Sequence, residues 1–253
     1  MARKIFNLGS LVFFLFCSVL MHDAQGAETD TPEKVKSLVD KVVQSYGGRE
    51  AIERVKSLFI KGKITAWTPV DEGIYIIYFK IPRKLRVNIA YRNYTEDRIL
   101  NGHRGYEGTD GYPLPEVTGI RYLSIVYQYK SQDIPYGLLH DAYRLSDEGK
   151  ESVNGMPVEV LRLEDKGGPP MKIYIDLKTF RIVKISGLFS IGENETSLSS
   201  EFADFRGVSG MEFPFRFTNY AGGQKVARTL IEEYKINTDI DHSVFEPRPP
   251  LPR

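Results

Sequence analysis

The chain has 253 residues, 42% hydrophobic and 26% charged, a globular composition that excludes global disorder. Lys and Arg number 34 against 33 Asp and Glu, a net charge of +1 that lacks the basic excess of a nucleic-acid binder. A single Cys excludes an intramolecular disulfide framework and a Cys-based zinc site.

Arg3 and Lys4 precede an uncharged, mostly apolar run from Leu8 to Met21, and Ala24-Gln25-Gly26-Ala27 follows it. This order reads as a secretory signal peptide, residues 1–26, cleaved after Gly26. The run is shorter than the roughly 20 residues a membrane span needs. Cys17 follows Phe16 inside the run, so it reads as part of the apolar region rather than as a lipidation site. Removal of 1–26 takes away Arg3, Lys4, Asp23 and Cys17 and leaves a chain without net charge or thiol. No later segment has an apolar run long enough to span a bilayer. The expected product is an exported soluble protein with no permanent membrane span after processing, in a bacterial host a periplasmic one.

Thr31, Pro32 and Glu33 form a helix start, and Val35, Leu38, Val39, Val42 and Val43 recur at helical spacing up to Gly47-Gly48. A second short helix is predicted over Arg49–Val55. From Leu58 the period becomes two, with Leu58, Ile60, Ile64 and Ala66 on one face and Lys61, Lys63 and Thr65 on the other. Gly73–Lys80 is apolar on both faces and predicts a strand covered on both sides. Lys84–Tyr91 alternates strictly, and a strand, Gly turn and strand follow up to Gly111. Residues 113–142 carry Pro113, Pro115 and Pro135 and apolar residues at helical spacing, which predicts two short helices over 118–130 and 134–142. Strands resume after Tyr143, with a turn at Asp176–Thr179. The tail from Thr238, ending PRPPLPR, is expected to be extended and partly mobile. The order is helix, four or five strands, a helical insertion, then six or seven strands. No βαβ rhythm or dividing linker occurs, so the expected fold is mainly β (α+β): one domain of curved antiparallel sheet covered by a few helices.

Catalytic patterns are missing from the sequence. His103, His140 and His242 stand far apart without a second ligand at metal spacing. Gly207-Val208-Ser209-Gly210 approaches a nucleophile elbow, but Met211 replaces the last Gly. No phosphate-binding GxxxxGK[ST] loop exists. The expectation is a non-enzyme without metal or cofactor. What stands out is apolar stripes: Leu85, Val87, Ile89 and Tyr91; Met171, Ile173 and Ile175; and Phe213, Phe215 and Phe217 after Met211. On the concave face of a curved sheet these residues would line an apolar trough. The same stripes would equally serve a dry core.

Four phrases carry a family resemblance. Tyr46–Ile64 (YGGREAIERVKSLFIKGKI), Ile173–Ile185 (IYIDLKTFRIVKI), Phe202–Phe217 (FADFRGVSGMEFPFRF) and Ile236–Pro247 (INTDIDHSVFEP) resemble, in order, segments of exported LolA-like proteins, the outer-membrane lipoprotein-sorting family. The resemblance implies an incomplete antiparallel β-barrel with a helical lid, here one LolA-like β-domain over 27–253 with its helical insertion at about 113–142. It also implies a hydrophobic cavity that receives acyl chains, lined by the ten stripe residues, with lipid or an acylated lipoprotein as partner. The family's lid-locking Arg has candidates by region in Arg83, Arg86 and Arg92. An alternative use of the same fold is an envelope sensor or interaction module that binds a protein partner.

Overall fold

A computed structural model describes residues 32–67, 69–165, 168–191 and 194–248. The leader over 1–26, its cleavage point, the Thr31 cap and the end of the Pro-rich tail lie outside the described residues.

Helix α1, Pro32–Ser45, buries Leu38, Val42 and Val43, the stripe its periodicity marks. Gly47 and Gly48 both take positive φ, and Gly48 N–H donates to Val43 O, which ends the helix. Helix α2, Arg49–Arg54, is a short connector with Ala51 and Ile52 buried. Six strands follow: β1 Ser57–Trp67, β2 Val70–Lys80, β3 Lys84–Tyr91, β4 Thr95–Asn101, β5 Arg104–Thr109 and the two-residue β6 Glu116–Val117. Helix α3 spans Gly119–Leu139. Seven more strands complete the sheet: β7 Arg144–Val153, β8 Met156–Glu164, β9 Met171–Asp176, β10 Ile182–Ile191, β11 Asn194–Val208, β12 Met211–Ala221 and β13 Gln224–Ile236.

These strands form one curved, unclosed antiparallel sheet in the order β6-β5-β4-β3-β2-β1-β13-β12-β11-β10-β9-β8-β7. Two meanders are thus joined where β1 pairs with β13, with Leu58 opposite Ile236 and Ile64 opposite Thr229. The free edges are β6 and β7, and α3 is the connection between them. At about 1.5 Å per residue it spans roughly 30 Å, enough to cross from one edge to the other. It rests on both halves, on β4 and β5 on one side and β10 on the other.

Three expectations are corrected. The insertion is one helix rather than two. Pro135 lies inside α3, and loss of one backbone donor there does not end a helix that buries Ile125, Val126, Ile134, Leu138 and Leu139 along its length. Strand β2 is not covered on both sides: Ile77 and Phe79 are buried, whereas Ile74 on the opposite face is exposed. The described part of the tail, up to residue 248, is folded rather than extended, because His242–Phe245 forms a 3-10 turn and Phe245 is fully buried. Phe245 packs with Ile99, Tyr106, Leu114 and Ile240 in a small second core. Register places Ile99 opposite Tyr106 and Arg86, on the face of the sheet away from Leu100 and Leu85. The buried Arg86 guanidinium anchors this strap, binding Asp97 Oδ1 at 2.8 Å and Val244 O at 3.2 Å and donating to Tyr112 Oη.

The main core lies on the other face, between the sheet and the helices. Lys34 of α1 reaches into it, 2.5 Å from Asp147 and 2.8 Å from Glu159, both carboxylates almost fully buried. Hydrogen bonds from the ammonium to Asp147 and then Glu159 hold its pKa above the ordinary lysine range.

Candidate ligand-binding cavity

A cavity of about 530 Å³ lies between α3 and the concave face of β1–β5 and β11–β13. Strand alternation supplies its wall. Ile64 and Ala66 of β1, Tyr75 and Ile77 of β2, and Val87, Ile89 and Tyr91 of β3 point to it, as does Phe217 of β12. Ala66 pairs with Ala227 across the β1–β13 junction, and both line the cavity, so the wall carries only methyl groups there. A second, smaller cavity of about 60 Å³ adjoins it, lined by residues that include Ile52, Leu58, Phe79, Ile134 and Phe213. Ser131, Gln132, Phe202 and Phe217 line both cavities, so they form the partition between them.

The ten stripe residues therefore separate. Val87, Ile89, Tyr91 and Phe217 line the larger cavity, and Phe213 and Phe217 the smaller one. Leu85, Met171, Ile173 and Ile175 are at most 1% exposed and belong to the packed core. Phe215 packs edge-on against Tyr234 at 5.2 Å, with the Arg206 guanidinium 4.5 Å from its ring centre. Periodicity identifies a buried face; it carries no information about which part of that face meets other side chains and which meets open space.

The polar part of the wall was not legible in the sequence. Tyr127 of α3 and Ser200 of β11 are linked hydroxyl to hydroxyl at 3.2 Å, and Ser200 Oγ donates to Asn219 Oδ1 at 2.8 Å. Gln128 also lines the cavity, and its Oε1 is buried without a hydrogen-bond partner among the described residues. At the rim, Arg98 binds Glu96 at 2.6 Å and Glu107 at 3.2 Å, and Arg121 of α3 binds Glu107 at 3.0 Å. Burial raises the phenols of Tyr75 and Tyr127, and that of Tyr91 to about 12, so these groups stay neutral and serve as hydrogen-bonding walls.

Helix α3 is tied down by a second polar cluster at mid-length. The backbone N–H of Arg83 donates to Tyr129 Oη at 3.0 Å, and its guanidinium to Tyr122 Oη at 3.2 Å and Gly102 O at 3.0 Å. Of the three regional candidates, Arg83 is the one hydrogen-bonded to α3; Arg86 serves the opposite face, and Arg92 is exposed. Asp133 accepts from Tyr129 at 3.2 Å and Tyr143 at 3.3 Å, and Lys130 pairs with Asp165 at 2.6 Å. Burial pushes the Asp133 carboxyl up to about 6, opposed by the two tyrosine hydrogen bonds and by Lys130 and Arg83. The helical spacing of Tyr129 and Asp133 is the one sequence signal that could have flagged this cluster.

Among the described residues no group of three or more His, Cys, Asp or Glu could hold a metal ion. Ser209 and Gly210 form the turn between β11 and β12, both at positive φ as a two-residue hairpin requires, so the GVSG phrase is a hairpin turn. Among the described residues no helix is long and apolar enough to cross a membrane.

No family model and no curated protein matches the sequence. Solved structures do. A DUF1329 family protein from Desulfovibrio piger is 13% identical with a TM-score of 0.52, covering 84% of this chain and 97% of its own. A LolA superfamily protein from Nitrosomonas europaea is 14% identical with a TM-score of 0.51, over 83% and 96% of the two chains. A domain from Vibrio parahaemolyticus described as belonging to an outer membrane lipoprotein-sorting protein is 12% identical with a TM-score of 0.50, over 84% and 96%. The fold is LolA-like, an open β-barrel with a helix across its mouth.

Proposed function

We propose that this protein is an exported, non-enzymatic carrier or binder of acyl lipid or lipidated protein, with the acyl portion held between α3 and the concave sheet. The reading has the leader over 1–26 deliver the domain over 27–253 to a bacterial periplasm. The observation that carries it is the cavity itself: about 530 Å³ between α3 and the concave sheet, with Ile64, Ile77, Val87, Ile89, Phe217 and Ala227 on its apolar part and neutral polar and paired charged side chains on the rest of its wall. Each methylene moved from water into such a wall is favourable by about 0.8 kcal/mol, so uptake needs area and an opening rather than a reactive group. The names of two fold neighbours, a LolA superfamily protein and a lipoprotein-sorting domain, support the same class.

The test is native mass spectrometry of protein purified from its exported form without detergent, followed by solvent extraction and lipid identification. Stoichiometric acyl lipid is expected, together with its loss in Ala66→Phe, which fills the cavity beside Ala227. Lipid-free protein that also takes up no fluorescent lipid from mixed vesicles would overturn the proposal and favour a protein-binding role.

A further inference from the structure

The two cavities follow one another along α3. The α3 residues that line the larger one run from Ile120 to Gln132, and those that line the smaller one from Ser131 to Tyr136. Polarity changes along the same line. The charged side chains in the wall of the larger cavity, Glu96, Arg98, Glu107 and Arg121, are joined by ion pairs beside the first turn of α3, and the Arg121 side chain is 63% exposed. Among the described residues, none that lines the smaller cavity is charged. An amphiphile lying along α3 therefore has one favourable direction, with its polar head toward Arg121 and its chain toward the smaller cavity.

Between the two cavities stand Ser131 and Gln132 of α3 and, from the sheet, Phe202 and Phe217. Phe202 and Phe217 are opposite one another across β11 and β12, and their rings meet edge-on at 5.5 Å. Phe217 is buried, whereas Phe202 is partly exposed. Gln132 Nε2 donates to Ser131 Oγ at 3.0 Å, a bond within its own helix. Turning Gln132 aside gives up that hydrogen bond, a loss that burial of about two methylenes offsets. We propose that the two cavities form one binding path for a single acyl chain, with its terminal methyl in the smaller cavity, and that Phe202 and Gln132 are the constriction that sets which chain length is favoured. This rests on the carrier reading above and specifies its chain-length preference.

The constriction is tested by incubating the protein with equimolar lauroyl and stearoyl lysophosphatidylcholine, which share a head and differ in chain length, and measuring each retained lipid by mass spectrometry after desalting. The stearoyl-to-lauroyl ratio of each variant is read against that of the unaltered protein, so the different aqueous solubilities of the two lipids cancel. Phe202→Ala widens the constriction and should raise the ratio by about threefold or more. Val55→Phe fills the smaller cavity, whose wall includes Val55, and should lower the ratio by about threefold or more. A cooperative thermal transition shows that each variant is folded; where one lacks it, Phe202→Leu or Val55→Leu takes its place. A ratio that either folded variant leaves unchanged overturns the constriction and leaves the carrier reading standing. Retention of neither lipid by the unaltered protein overturns both.

Discussion

The Tyr127 ring of α3 lies directly over Gly187 of β10: a Cβ at that glycine would sit 3.0 Å from a ring carbon. Gly105 of β5 stands in the same relation to Tyr122, at 2.9 Å. The helix is thus seated on two glycines, one from each meander, and its distance from the sheet is set by their lack of side chains. Gly187→Val should cost about 1–3 kcal/mol through overpacking and move Tyr127 away from Ser200. Denaturant unfolding at unchanged m-value would show it; unaltered stability would mean that α3 is not seated there.

The strap on the opposite face should be part of the cooperative unit. Phe245 is fully buried, so Phe245→Ala is expected to destabilise by about 3–5 kcal/mol. A tail that is mobile in solution would give no change in thermal midpoint.

Thr229 is fully buried between Ile64 and Phe217 in the sheet, and its hydroxyl has no hydrogen-bond partner among the described residues. Thr229→Val keeps the shape and removes the unpaired polar group. A gain of about 1 kcal/mol is expected, read as a rise of roughly 2–4 °C in thermal midpoint.

Asp133 gives the protein a pH signature. Its folded pKa, about 6, lies above the ordinary aspartate value of 3.8. Between these values the folded state holds more protons than the unfolded state, so this group's contribution to stability is largest below about pH 4 and falls as pH rises to about 6. The stability difference between the unaltered protein and Asp133→Asn should therefore shift against the unaltered protein across that window. A difference that is flat with pH would show that the carboxyl is not desolvated.

The apolar stripes on the concave face divide into residues that line the cavity and residues of the packed core. Ile89 lines the cavity, whereas Ile173 is fully enclosed in the core. Ile173→Ala should therefore cost about 2–5 kcal/mol, and Ile89→Ala less, while Ile89→Ala weakens uptake of a fluorescent lipid more. Equal costs for the two would remove the distinction between lining and core.

Strand alternation was readable because the backbone alone imposes a period of two: Leu85, Val87 and Ile89 are buried where Lys84 and Asn88 are partly exposed. Gly47-Gly48 after α1 and the turn after Asp176 were readable for equally local reasons, positive φ in one and side-chain to backbone bonding in the other. Where locality fails, so does the reading. Pro135 looked like a boundary, but the burial of Ile134 and Leu138 on either side keeps α3 continuous. The segment from Thr238 looked mobile, but over its described residues Ile240 and Phe245 find a second core on the convex face that no nearby residue announces.

By itself, then, the sequence determined most of the elements, the buried face of the alternating strands such as β1 and β3, and the antiparallel class, because short-range sterics and polarity act within a few residues. Only the tertiary structure decided that β1 closes onto β13, that α3 crosses between the free edges, and that Val87, Ile89, Tyr91 and Phe217 face open space while Met171 and Ile175 do not. It alone brought Gln128, Ser200 and Asn219 to one wall. Those outcomes depend on curvature and on contacts between residues far apart in the chain, where identical apolar side chains become core or cavity according to what stands opposite them.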